Sequence, residues 1–360
     1  MEKMTIYFVP HSSFRGNQPP RSDTLFGAIC WGYRLLFGNK RLQNVLRMFT
    51  RDSVPFLVSS LFRYTEQDGE KIHILPKPLT EPFLPEWMRE HPGFDELRAL
   101  KTLQKKHTVD ANDFSDIIYG KKNEQAFYEH ILQEFQEKKG HKWEGPQPVS
   151  IRHVQQPHST INRLTGSVDG PRFFYTEEFF LSSASEGQTG VFCCVKCREE
   201  LANDLKAVFY FLADTGIGGG ASVGKGHIRS VDIVNDYLPY EEPEEETEHI
   251  VTLSLTFPDE SFRRVLSKSW YVLEKRQGKV ESMYTTLGPK GHVWKDHLLM
   301  LKEGSTFPQN GGQSYYGENR IVREGRHDLG FDVQQYGYAF TVNTNHITSV
   351  YQNERSRQKL

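Results

Sequence analysis

The sequence predicts an α+β chain made of two ferredoxin-like (RRM-like) domains, each an antiparallel sheet with helices on one face. Three observations lead there. Strand–helix–strand order occurs once in each half of the 360 residues, a length that supports two cores. The stretch EEPEEETE, Glu241–Glu248, places six carboxylates in eight residues between the halves and reads as a solvated linker. Beyond that linker the alternating pattern restarts at His249. The predicted first domain is therefore 1–240, the linker 241–248, the second domain 249–350, and a polar tail covers 351–360.

The elements follow in order. Thr5–Val9 reads as an opening strand, and the polar loop PHSSFRGNQPPR follows. Next comes the helix SDTLFGAICWGYRLLFG, with Ser22 or Asp23 as its cap, Leu25, Ile29 and Leu36 on one face, and Gly38 at its C-terminal end. Gly27 and Gly32 lie inside it at a propensity cost near 1 kcal/mol each, which close packing on the sheet would explain. Residues 84–140 form a helical insertion. Within it EQAFYEHILQEFQEKKG stacks Phe127, Ile131 and Phe135 four apart. Two strands surround a turn within about 155–182, with VDGP as the turn signal and FFYTEEFFL as the aromatic strand. Cys193, Cys194 and Cys197 in VFCCVKC alternate as strand residues; one C-x-x-C pair falls short of a structural zinc set. A helix follows, with Leu201, Leu205, Val208, Phe209 and Leu212 at helical spacing. After the linker, HIVTLSLTF and YVLEKR read as strands on either side of the helix DESFRRVLSKSW. GSTFPQNGGQSYYGEN is a long polar loop, and YGYAFTV is a closing strand.

Between the helix EELANDLKAVFYFLADT and the short strand HIRSVDIV stands TGIGGGASVGKG, six glycines in twelve residues (215–226). Gly219–Lys225 reads G-x-x-x-x-G-K, but Gly226 replaces the Ser or Thr whose hydroxyl would hold Mg²⁺. The order helix–loop–strand is also the reverse of a P-loop's. Nucleotide triphosphate binding is not expected. Six glycines are costly to order, so a plain connector is a poor explanation. Their open backbone suits the oxygens of a phosphate chain instead.

A net charge of −2 does not mark a nucleic-acid binder, yet basic residues gather among glycines in particular loops. The loops 11–22, 152–172 and 215–226 carry Arg15, Arg21, Arg152, Arg163, Arg172 and Lys225 as candidate phosphate contacts. His11, Ser12, His153, Gly218, Gly219, Gly220 and Ser222 complete the candidate RNA-binding set. His153, His158, Phe173 and Tyr175 suit stacking on unpaired bases. Among fourteen histidines, His292 and His297 are five apart, and His327–Asp328 is a lone pair. Neither makes a metal or catalytic set. His11 is a candidate general base for RNA cleavage, with a polar loop contact as the plainer reading. No catalytic residue, metal or cofactor is assigned. The opening MEKMTIYFVP lacks a signal-peptide pattern and no apolar run spans a bilayer, so a cytoplasmic protein without membrane contact is expected.

Four segments resemble one known family. RSDTLFGAICWGYRLLFG resembles the N-terminal helix of the RAMP-type subunit that caps the crRNA five-prime end in type III-A CRISPR effector complexes, the Csm complexes. STINRLTG, followed by the aromatic strand, resembles that family's thumb hairpin. GIGGGASVGKG resembles the glycine-rich loop common to RAMP proteins, and VQQYGYAFTV the closing strand. Asn162 departs from the Asp that many members carry before the thumb arginine. The resemblance implies two ferredoxin-like domains and binding of the repeat-derived crRNA five-prime handle. It implies contact with the large polymerase-like subunit and the neighbouring backbone RAMP subunit, with target RNA nearby and no catalytic role. The alternative is a metal-independent RAMP endoribonuclease that cuts repeat RNA through His11. A third is a protein adaptor that touches no RNA.

Overall fold

The computed structural model describes residues 1–50, 53–83, 85, 93–137, 149–183, 187–243, 247–280, 294–309, 313–323 and 332–345. Its elements are β1 (Glu2–Pro10), β2 (Phe14–Arg15), α1 (Ser22–Arg47), β3 (Phe56–Val58), β4 (Phe62–Gln67), β5 (Glu70–Pro76), α2 (Phe94–Lys105), β6 (Thr108–Asp110), α3 (Ala111–Ile118), α4 (Glu124–Glu137), β7 (Val149–Ile161) and β8 (Val168–Ser183). Then come β9 (Thr189–Cys197), α5 (Glu199–Thr215), β10 (Ile228–Asn235), β11 (His249–Thr252), α6 (Glu260–Val265), β12 (Leu273–Arg276), β13 (Leu298–Leu301), β14 (Thr306–Pro308), β15 (Arg320–Arg323), β16 (Val333–Gln335) and β17 (Thr341–Thr344). The chain is α+β, as the sequence predicts, and none of its described helices is long and apolar enough to cross a membrane.

The chain forms two compact units that interleave in sequence. The first is Met1–Phe49, Pro55–His73 and Gln147–Tyr237; the second is Thr50–Val54, Ile74–Pro146 and Leu238–Leu360. The first unit's sheet runs β10-β1-β9-β4-β5, with β3 also on β9. β1 sits between two partners along its length, Thr5 opposite Cys194 and Val234, so its residues Met4–Phe8 are all buried. That explains why it reads as a continuous apolar run. The cysteines are core residues of β9: Cys193, Cys194 and Cys197 are buried, and burial pushes the Cys197 thiol up to about 11.

Helices α1 and α5 belong to this unit and pack on each other. Arg41 grips Asp204 through two nitrogens at 2.9 and 2.7 Å. The α5 residues Leu201, Leu205, Val208, Phe209 and Leu212 are buried, as their spacing predicts. In α1, Leu25 and Ile29 are buried with Phe26 and Tyr33, but Leu36 is exposed. Gly38 explains that difference: at φ 81° it is non-helical, and the helix restarts beyond it. Neither Ser22 nor Asp23 is the cap residue. Arg21 holds that position, and the Ser22 N–H donates to Ser60 Oγ at 2.9 Å, so the capping hydroxyl comes from a distant segment. Gly32 is close-packed, though against Val208 of α5 and not against the sheet, whereas Gly27 faces open space.

The second unit holds the helical region. Its described part, 93–137, comprises α2, α3 and α4. Phe127, Ile131 and Phe135 of α4 are buried as predicted. In this unit, residues 74–146 and the segment after 238 are tied by backbone bonds. Leu79 N–H donates to Gly304 O at 2.7 Å, Asn345 N–H to Ile118 O at 2.8 Å, and Thr344 Oγ1 to Ile118 O at 3.0 Å. The region predicted as an insertion of the first domain therefore clusters with the C-terminal segment. Here the sheet β14-β11-β17 packs a core of Ile250, Phe262, Leu301, Phe307, Tyr316 and Ala339. Phe262 meets Phe307 edge-on at 4.3 Å, and Asp259 caps α6 by accepting from Phe262 N–H at 2.8 Å. Residues 281–293, 324–331 and 351–360 lie outside the described residues, and His292, the His327–Asp328 pair and the polar tail with them.

The two α1 glycines should respond oppositely to alanine. Gly27→Ala should raise stability by about 1 kcal/mol from helix propensity alone. Gly32→Ala should lower it, because a Cβ there would stand 2.7 Å from Val208 Cγ1. Urea unfolding of both variants checks this; equal shifts would contradict the packing.

Candidate nucleic-acid interface

The predicted loops converge in the first unit on one carboxylate. The long hairpin β7–β8 is antiparallel from Val149 opposite Ser183 to Ile161 opposite Val168, wider than the predicted 155–182. Its turn is not VDGP, since Val168–Pro171 are in β8. The turn is Asn162–Ser167: Gly166 N–H donates to Asn162 O at 2.8 Å, and Asn162 Oδ1 accepts from Leu164 N–H at 2.9 Å. That Asx-turn is why Asn162 suits the site. Arg163 and Leu164 stand exposed at the tip, Leu164 at 97%.

Strand parity sorts the hairpin into two faces. One carries Phe173 and Tyr175, edge-to-face at 5.2 Å and exposed, with His153 opposite the buried Phe179. The other carries Arg152, His158, Phe174, Thr176, Glu178 and Phe180. There His158 stacks on Phe174 at 5.2 Å, and its Nε2 lies 2.8 Å from Thr176 Oγ1. Thr176 Oγ1 donates to Glu178 Oε1 at 3.4 Å.

Glu178 is the convergence point. Its side chain is 4% exposed, and its Oε2 accepts from Ser13 Oγ at 2.7 Å and from Lys225 Nζ at 2.7 Å. Ser13 precedes β2, which pairs with β8 at Phe14–Phe179 and Arg15–Glu178. One residue thus joins the first loop, the hairpin and the glycine loop. Burial alone would raise its carboxyl. The hydrogen bonds from Lys225 and Ser13, the Lys225 charge and Thr176 outweigh burial and hold it below the usual carboxylate range.

The glycine loop runs from α5 to β10 and is pinned to the first loop. Gly226 N–H donates to Ser13 O at 2.8 Å, His227 N–H to Ser12 Oγ at 3.0 Å, and His11 N–H to His227 O at 2.8 Å. A side chain at Gly226, which has φ +66°, would strike the Ile217 carbonyl, so that position requires glycine. Gly218 and Gly220 also have positive φ. The N–H groups of Gly218, Gly219, Gly220, Ala221 and Ser222 donate to no acceptor among the described residues. Gly219 and Ser222 are exposed, and a Cβ on Gly219 would lie 3.5 Å from Arg15 Cδ. Successive unpaired N–H groups beside an exposed arginine suit anionic oxygens.

The candidate residues therefore divide. Arg15, Arg152, His153 and Arg163 are exposed, as are His11, Gly219 and Ser222. Arg21 is not a surface contact: it is buried at 6% and its Nη2 donates to Gln18 Oε1 at 2.7 Å. Ser12 is occupied by His227 N–H, and Lys225 by Glu178. The Arg172 side chain lies outside what is described. No side-chain hydrogen bond orients the His11 ring among the described residues. The sequence does not single out Glu178, because Glu177–Glu178 in a strand sends one carboxylate to each face and the pair does not say which is buried. Parity does not help, since Phe174 and Phe180 on the Glu178 face are exposed and the buried Phe179 shares the face of Glu177.

No family model matches the sequence, and a search of curated proteins finds no match. Solved structures do match. A chain of the "Csm3-Csm4 subcomplex in the type III-A CRISPR-Cas interference complex" aligns over 96% of this chain and 100% of its own, with TM-score 0.60 and 17% identity. A chain of the "Csm1-Csm4 cassette in complex with cA4" aligns over 97% and 100%, with TM-score 0.55 and 18% identity. These structural neighbours are Csm4 chains, and the fold is shared over nearly the whole length.

The Glu178 cluster sets an acid limit. Its folded carboxyl lies below its unfolded value, near 4.3. Its contribution is therefore present above that value and lost as pH falls through the folded value. His73, buried with Nε2 2.7 Å from the Tyr7 hydroxyl, is held down to about 4 by burial and the Lys71 charge. It loses its contribution earlier, from about 6.5 downward. Denaturant stability measured from pH 8 to 3 should fall in both windows, and Glu178→Gln should flatten only the more acid one.

Proposed function

We propose that the chain is the RAMP-type subunit of a type III-A CRISPR effector complex that holds the crRNA five-prime handle. In this reading it bridges the large polymerase-like subunit to the backbone subunits, lies near target RNA, and acts in the cytoplasm without catalysis of its own. The observation that carries the reading is the set of unpaired N–H groups at Gly218–Ser222 beside Arg15, in a chain with the Csm4 fold. Two ferredoxin-like domains are part of the proposal. For the first unit its support is strand order: β1, α1, β3/β4, β9, α5 and β10 follow a βαββαβ sequence, and β10-β1-β9-β4 is the matching sheet order.

The residues suit a single strand. Arg15 and the loop N–H groups meet backbone phosphates, which fix register without reading sequence. The His158–Phe174 stack on the Glu178 face and Phe173 with Tyr175 on the opposite face each offer a surface to unpaired bases, each contact worth about 1–3 kcal/mol. The tip residues Arg163 and Leu164 reach the strand farthest from the sheet.

The handle is tested directly with a synthetic five-prime handle RNA and a scrambled control of equal length. Wild type should bind with a salt-dependent affinity, and RNA recovered from the native complex should share one five-prime sequence ahead of variable spacers. Gly219→Val should fold normally, since Gly219 needs no positive φ, but should weaken binding at least tenfold by covering the N–H groups. Unchanged binding by a folded Gly219→Val would remove the loop from the interface. Repeat RNA and ATP should remain uncleaved with or without Mg²⁺; turnover abolished by His11→Ala would establish the endoribonuclease reading instead.

The tip gives a separate outcome. Arg163→Ala with Leu164→Ala should leave stability within about 0.5 kcal/mol, because both side chains are exposed. Nuclease footprints near the guide's five-prime end should lose protection in the reassembled complex.

A further inference from the structure

Lys225 is the basic residue of the glycine loop, and the sequence alone would give it to a phosphate. The structure assigns it elsewhere. Its ammonium lies 2.7 Å from Glu178 Oε2, the same oxygen that takes the Ser13 hydroxyl at 2.7 Å. Glu178 is buried and its second oxygen faces Thr176 Oγ1. A lysine that left for an RNA phosphate would strand that carboxylate in the interior, with a hydroxyl pair as its only other hydrogen-bond donors here. Leaving a buried charge without its ion-pair partner is strongly unfavourable. A single phosphate contact from a flexible, hydrated ammonium gives much less in return. Arg15 is different. It sits on β2 opposite Glu178 in register, yet no ion pair engages it among the described residues, and its side chain is exposed beside Gly219.

We propose that Glu178 is a positioning residue for the RNA interface: by binding Ser13 and Lys225 together it fixes the first loop and the glycine loop on β8, so that Arg15 and the Gly218–Ser222 N–H groups face one backbone, and it withholds Lys225 from that backbone. The inference rests on the RNA-binding reading above. It divides labour between two cations that look alike in sequence. Lys225 shapes the site from inside, and Arg15 touches the ligand. It also accounts for a lysine in a loop whose Gly226 stands where a Mg²⁺–triphosphate loop would need Ser or Thr. The long side chain reaches from the loop to the hairpin strand, and the charge compensates the one that burial would otherwise forbid.

The test compares handle-RNA affinity from 50 to 300 mM salt for wild type, Arg15→Ala, Lys225→Ala, Glu178→Gln and the Glu178→Gln/Lys225→Ala double variant. Each single-strand phosphate contact changes the slope of log affinity against log salt by about 0.7. Arg15→Ala should flatten the slope by that amount. Lys225→Ala should weaken binding with the slope unchanged. Glu178→Gln should steepen it by about 0.7, because the freed ammonium becomes available, and the double variant should return to the wild-type slope. A structural lesion alone would not produce this gain and its cancellation. A flatter slope in Lys225→Ala, or no change in Glu178→Gln, overturns the proposal. Lysine-selective acylation read by mass spectrometry gives an arm independent of RNA. Lys225 should label more slowly than the exposed Lys275 in wild type and several-fold faster in Glu178→Gln. Equal labelling of Lys225 and Lys275 in wild type would refute the sequestration. If wild type binds no handle RNA, the proposed function fails, while the acylation arm still decides whether Glu178 holds Lys225.

Discussion

A carboxylate inside the first unit organises what surrounds it. Glu178 is buried where the β2 segment and the glycine loop cover the base of the hairpin, and ionisation there is tolerated only with donors in place. Ser13 and Lys225 supply them from segments 165 and 47 residues away along the chain. Three stretches that would otherwise be independent surface loops are thereby drawn to a common point. The backbone bonds Gly226 N–H to Ser13 O and Gly16 N–H to Glu177 O repeat the same joins beside it. An interior charge is a poor source of net stability compared with an apolar contact of the same size. Its use here is geometric, since it specifies which loop conformations are compatible with a satisfied interior.

The sheet anchors that geometry at one end. β1 and β9 are flanked on both sides, and Phe14 stacks on Phe179 at 5.3 Å where β2 meets β8. From that base the hairpin runs outward, and its exposure rises: Phe179 is buried, Tyr175 and Phe173 are exposed, and Leu164 is almost fully so. A ribbon of two strands has little core of its own. Its aromatic surface is consequently available to something other than this unit. The glycine loop follows the complementary principle. Gly218 and Gly220 adopt positive φ, and the N–H groups from Gly218 to Ser222 make no bond within the described residues.

Much of the fold is legible along the chain. The periodicity of α4 and α5 places Phe127, Ile131, Phe135, Leu205 and Leu212 in the interior, and VFCCVKC reads correctly as a buried strand. Local signals fail where the deciding atom is distant. The cap of α1 is a Ser60 hydroxyl, which no pattern around Ser22 announces. Leu36 falls on the apolar face by count, but Gly38 breaks the helix before that face can be used. The turn of the hairpin belongs to Asn162–Ser167 because Asn162 closes it with its own side chain, leaving the equally turn-like VDGP in a strand.

The sequence by itself determined the α+β class, the helix–loop–strand order around the glycines, and the absence of the hydroxyl that a Mg²⁺–triphosphate loop needs. Those are properties of neighbouring residues, fixed by short-range sterics and hydrogen-bonding chemistry. Tertiary structure alone decided which charges are spent inside. Arg15, Arg21 and Lys225 are equivalent cations in a loop until packing is known. Arg21 is then buried against Gln18, Lys225 is neutralised by Glu178, and Arg15 is left facing outward. The physical reason is that a charge's role depends on its solvation and nearest counter-charge, and both are set by residues far away in the chain.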